Sequence, residues 1–100
     1  MKTIDYDQVA RFEAASELIN TLRGILRSLI NSNPEYTLEL QNRGLELLRE
    51  KQHLRTKNNV MVKEIRDTYG PLVRSYYDDP KAFNLSKSFL ETKISYANWH

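Results

Sequence analysis

The sequence has no cysteine among its 100 residues, which excludes a disulfide framework, a thiolate nucleophile and a cysteine-based zinc site. No apolar stretch approaches the ~20 residues that a membrane-spanning helix requires. Acidic residues lie within the first seven positions, where a secretory signal would need an apolar run. The net charge of +2 is too small to indicate a partner. We therefore expect a soluble, cytoplasmic protein.

Glycine and proline are also scarce, with three of each, and they divide the chain at Asn33-Pro34, Gly70-Pro71 and Asp79-Pro80. Asn or Asp before Pro is typical of a helix start, whereas Pro within a helix predicts a break. No alternating strand pattern is present. The sequence predicts one all-α domain over 1–100, a long antiparallel helical hairpin with one or two shorter C-terminal helices packed across it. The predicted helices are 6–31, 34–57, 60–69, 71–77 and 86–97.

The first helix has a clear start and a regular apolar face. Asp5 is the expected N-cap, with Gln8 placed to reach back to it and Ile4 and Val9 at the spacing of a hydrophobic staple. Apolar residues then follow a heptad spacing. They are Phe12, Ile19 and Leu26, then Ala15, Leu22 and Leu29, with Leu18, Ile25 and Ile30 beside them.

The second helix carries a narrower seam, which predicts an oligomer interface of Leu40, Leu47, Leu54, Asn58 and Met61. A flank of Leu38, Leu45 and Leu48 exists only in its first half, so the seam beyond Leu48 is expected to need another surface. Four residues after each seam leucine lie Gly44, Lys51 and Asn58. Asn58 indicates either a turn at 57–59 or a polar position that fixes register in a coiled coil. We therefore expect a homodimer or a tight hetero-complex, because a chain of this size has a small core.

Catalytic and metal-binding patterns are missing. His53 and His100 have no partner ligands at metal spacing, and no nucleophile elbow or phosphate loop surrounds any Ser or Thr. The sequence predicts no enzyme, no cofactor, no metal and no small-molecule substrate.

The basic stretch 49–63 carries five cations against the single acid Glu50. At 100° per residue the cations of the second helix encircle it rather than forming one face. A solvated helix end explains this better than a nucleic-acid surface, which stays the alternative. The candidate nucleic-acid or acidic-partner contacts are Arg49, Lys51, Arg55, Lys57 and Lys63.

Seven of the ten aromatic residues lie in the last 32 positions. Phe83 and Phe89 are expected in the core. Neighbouring residues on a helix face different ways, so either Tyr76 or Tyr77 should point outward. Tyr and Trp are frequent in binding hot spots. The predicted partner-binding residues are Tyr76, Tyr77, Tyr96 and Trp99.

These features favour a non-catalytic protein-protein interaction module that binds a larger protein stoichiometrically, as an inhibitor, immunity-type protein, chaperone or regulatory subunit. The alternative is a small nucleic-acid-binding regulator that uses the basic stretch 49–63.

Overall fold

The computed structural model describes residues 5–83 and 88–95. Within these ranges the secondary structure is helical and contains no strand, which confirms the all-α prediction. A 3-10 turn, Pro34–Tyr36, precedes the second helix. The helices are α1 (Tyr6–Ser32), α2 (Thr37–His53), α3 (Asn59–Asp78), α4 (Pro80–Phe83) and α5 (Ser88–Glu91).

The three long helices form an up-down-up bundle. α1 and α2 make the predicted antiparallel hairpin, and α3 lies parallel to α1. Two side-chain hydrogen bonds join the helices in this arrangement. Gln8 Nε2 donates to Asn59 Oδ1 (3.2 Å) where α1 and α3 begin, and Lys51 Nζ donates to Asn20 Oδ1 (2.7 Å) between α2 and α1. The bundle is elongated, with extents of 54 × 26 × 18 Å.

The core lies along the face of α1 that the heptad spacing predicted. Each Leu or Ile that is fully buried contributes about 1.5–3 kcal/mol relative to an exposed position, so this face supplies much of the drive for folding. The buried residues of α1 are Ala15, Ile19, Leu22, Ile25, Leu26 and Leu29.

Two of the predicted helix caps are confirmed and one is wrong. Asp5 Oδ1 accepts from the backbone N–H of Gln8 (3.0 Å), and Asp79 Oδ1 accepts from that of Ala82 (3.0 Å). Asn33 does not cap α2. Its Nδ2 instead donates to the Leu29 carbonyl (3.0 Å) and so satisfies an acceptor left free where α1 ends.

The second helix ends at His53, four residues before the predicted end at 57, and a turn precedes α3. Asn58 is the N-cap of α3, since its Oδ1 accepts from the backbone N–H of Met61 (3.1 Å). The turn that Asn58 indicated is therefore present, and the continuous coiled-coil helix through this residue is not.

The predicted break at Gly70-Pro71 is wrong, because α3 runs through both residues to Asp78. Buried residues lie on both sides of the proline, and their packing outweighs a local penalty of about 3 kcal/mol. Gly70, without a Cβ, also relaxes the steric restriction on the residue before proline. These buried residues include Met61, Val62, Ile65, Tyr69, Leu72 and Val73.

The predicted last helix, 86–97, is shorter where the structure describes it. α5 ends at Glu91, and residues 92–95 are not helical. Phe89 and Ile94 are nevertheless buried, so this segment covers part of the core. Ile4, residues 84–87 and residues 96–100 lie outside the described ranges.

Pro71 is exposed within α3. We expect Pro71→Ala to raise the free energy of unfolding by about 1–3 kcal/mol, because alanine supplies the missing N–H and removes the ring clash. Chemical denaturation followed by circular dichroism measures this change. A decrease instead would show that the proline ring stabilises the fold through packing.

The glycines of α1 and α2 provide a matched pair. A Cβ at Gly24 would meet nothing within 4 Å, whereas one at Gly44 would lie 2.8 Å from Leu26 Cδ2. We expect Gly24→Ala to stabilise the protein by about 0.5–1 kcal/mol through helix propensity. Gly44→Ala should stabilise the protein less, because the Leu26 side chain must shift to make room for the added Cβ. Equal gains in denaturation experiments would contradict the close approach of α1 and α2.

Candidate protein-binding surfaces

The apolar members of the predicted oligomer interface lie inside the bundle of a single chain. They pack in the core with α1 and α3, and Asn58 is used as a helix cap. No large part of this seam is left for a second copy. The buried members are Leu40, Leu47, Leu54 and Met61.

A different part of α2 is uncovered. Leu38 and Leu45, one heptad apart, are exposed, and Leu48 is half-buried on the same side of the helix. Ile30 of α1, also half-buried, lies in a groove with Leu45 and Leu48. We call Ile30, Leu38, Leu45 and Leu48 the leucine stripe. The surface that lacks cover is therefore the flank before Leu48, and not the seam after it as the sequence predicted.

The groove at the leucine stripe has a volume of about 390 Å³ and lies between α1 and α2. Gly44 lets the two helices approach closely at its base. Arg23 and Arg27 of α1 are the charged residues among those that line it. The site thus combines apolar side chains with a positively charged rim, as the core and rim of a protein interface do.

The aromatic residues divide as predicted between core and surface. Phe83 and Phe89 are buried and meet edge to face, with ring centroids 6.2 Å apart. Tyr76 is half-buried, and its ring centroid lies 5.6 Å from that of Phe83 and 5.5 Å from that of Tyr77. Tyr77 itself is exposed. The outward tyrosine is therefore Tyr77. Two further predicted binding residues, Tyr96 and Trp99, lie outside the described residues.

The five basic candidates differ in the contacts that they make within the chain. Lys51 is bonded to Asn20, Arg55 donates to the Leu54 carbonyl (2.9 Å), and Lys63 pairs with Asp67. Arg49, Arg55, Lys57 and Lys63 are all exposed. Three of the five cations thus make contacts within the chain, and the nucleic-acid alternative stays a prediction.

A buried polar network on the opposite side of α2 was not predicted. Arg43 donates to Glu50 (3.1 Å) and Glu46 (3.1 Å) of its own helix, to the Tyr69 hydroxyl of α3 (2.8 Å) and to the Thr92 carbonyl (3.0 Å). The Tyr69 hydroxyl in turn donates to Glu50. Arg43 thereby joins α2, α3 and the segment after α5.

Burial governs the electrostatics of this network. It raises the pKa of Glu50, although the hydrogen bond from Tyr69 and the charge of Arg43 oppose the rise. It also raises the pKa of the Tyr69 hydroxyl. For Arg43, burial lowers the pKa, but attraction to Tyr69 and Glu50 outweighs it and the net pKa is raised. Tyr69 therefore stays a neutral donor and Arg43 a cation.

Sequence reasoning missed this network because it considered the positions four residues after each seam leucine and not those three residues after. Arg43 and Glu50 lie three residues after Leu40 and Leu47, and both i+3 and i+4 positions flank a helical seam. A charged pair repeating at heptad spacing beside seam leucines was the available signal.

None of the helices in residues 5–83 and 88–95 has the length and apolarity needed to cross a bilayer. In the same part of the chain, no three His, Asp or Glu side chains converge to hold a metal ion. Comparison with protein-family models, curated proteins and solved structures gave no match. Inference about function therefore rests on the surfaces described above.

The two carboxylates that accept hydrogen bonds from Arg43 permit a controlled test. Both accept from Arg43 at 3.1 Å, but the Glu50 side chain is 2% exposed and that of Glu46 is 27% exposed. We expect Glu50→Gln to lower the free energy of unfolding by about 3 kcal/mol, because a buried cation loses its carboxylate. Glu46→Gln should cost less than about 1 kcal/mol. Equal losses in urea titrations would show that burial of the pair is not the cause.

Proposed function

We propose that this protein is a non-catalytic binding module that attaches stoichiometrically to a larger protein, as an inhibitor, immunity-type protein, chaperone or regulatory subunit would. The observation that supports the proposal is the leucine stripe. Leu38 and Leu45 are exposed on a regular helix, beside a groove with a positively charged rim. Contiguous apolar surface of this kind is typical of protein interaction sites.

The stripe has the layout of a helix-binding surface. Leucines at seven- and three-residue spacing line one side of α2, and Ile30 of α1 closes the other side of the groove. A partner helix could place apolar side chains between the two helices, where they would displace water from both. Tyr77, on α3, is a separate exposed aromatic that would extend such an interface or serve another one.

We expect Leu45→Glu to weaken partner binding at least about tenfold, since the interface would then have to bury a carboxylate without a partner. Val60 supplies the matched control, because it is similarly exposed (61% against 55% for Leu45) but lies at the start of α3. The measurement is quantitative affinity capture with the full chain and both variants, read by mass spectrometry.

A stoichiometric partner retained by wild type and Val60→Glu, but lost from Leu45→Glu, would support the proposal. Equal retention by the two variants would contradict it. Analytical ultracentrifugation of the purified chain gives a second check. A wild-type dimer that becomes monomeric in Leu45→Glu would assign the stripe to self-association and overturn the proposed role.

A further inference from the structure

A second groove lies on the other side of the bundle, between α1 and α3. Its volume is about 1210 Å³, larger than the 300–1,000 Å³ typical of small-molecule pockets. It shares no lining residue with the groove at the leucine stripe. Whatever binds here would therefore contact a separate surface of the protein.

Cations outnumber carboxylates in the lining of this groove, and the excess lies on α3. Arg11 of α1 and Arg66 and Arg74 of α3 line it, and none of them forms an ion pair with any described residue. Lys63 also lines the groove but is paired with Asp67. With four cations and two carboxylates in its lining, the groove carries a net charge of +2.

The floor of the groove is apolar. Val62 and Val73 of α3 are buried, and Leu18 of α1 is half-buried between the walls. The span from Lys63 to Arg74 is about 17 Å along α3, or roughly three helical turns. An apolar floor beside the cations of α3 complements a helix with apolar residues on one face and carboxylates along its flank.

We propose that the α1–α3 groove binds an acidic amphipathic helix of a partner protein, with carboxylates against Arg11, Arg66 and Arg74. A nucleic acid fits less well for two reasons. None of the described lining residues is aromatic, so bases have nothing on which to stack. The apolar floor offers phosphates no contact, whereas it can pack against the apolar face of a helix. This surface is independent of the leucine stripe.

The test begins with the intact protein and a displayed library of random peptides about 15 residues long, enough for a helix of about 22 Å. Enriched peptides should combine Asp or Glu with Leu, Ile or Phe at helical spacing. Their Kd is then measured by fluorescence anisotropy. We expect Arg66→Glu combined with Arg74→Glu to raise the Kd at least about tenfold, because two attractive contacts become repulsive.

Arg49→Glu combined with Lys57→Glu is the control, since it makes the same change in net charge at exposed residues outside the groove. It should change the Kd less than about threefold, because neither residue lines the groove and salt weakens the effect of charges that make no direct contact. Leu45→Glu should leave groove binding intact, which separates this proposal from the role of the leucine stripe. Circular dichroism checks that every variant stays folded.

Three results would overturn the proposal. The first is selection of peptides that are not acidic, or whose binding only Leu45→Glu removes. The second is an equal effect of the two double reversals, which would show that net charge alone matters. The third is binding of labelled single-stranded or duplex DNA that Arg66→Glu with Arg74→Glu abolishes, without selection of acidic peptides.

Discussion

The buried contact between Arg43 and Glu50 is the constraint on which the rest of the bundle depends. Their side chains are withdrawn from water, and such a pair is tolerated only when further hydrogen bonds satisfy it. Tyr69 and the Thr92 carbonyl supply those bonds. The pair therefore fixes where α3 and the segment 92–95 lie against α2, since another arrangement would leave a buried charge without partners.

This constraint also explains which surface of α2 stays uncovered. The network occupies one side of the helix, and α1 packs on the other at Gly44. Leu38 and Leu45 lie beyond that contact, where no described part of the chain reaches them. Exposed leucines add little to the stability of the monomer, and their position beside a groove is the reason for the binding role that we propose.

Apolar periodicity was enough to predict α1, the hairpin and the seam of α2, because burial of one helical face produces that pattern directly. It did not predict that Leu40 and Leu47 are buried within the bundle rather than at an oligomer interface. It did not predict that Arg43 is buried, because the reason lies in Tyr69, which is distant in sequence. The prediction of a helix break at Pro71 was wrong for a similar reason. Packing of α3 against α1 outweighs the local cost of a proline inside a helix. Which leucines stay exposed likewise depends on how the helices assemble.

The two candidate surfaces flank the same helix. α1 contributes Ile30 and the rim arginines to the groove with α2, and Arg11 and Leu18 to the groove with α3. A partner with segments that reach both grooves would bind the second one intramolecularly, at an effective concentration in the millimolar range for a short flexible linker. Two contacts of modest strength would then suffice for a stable complex.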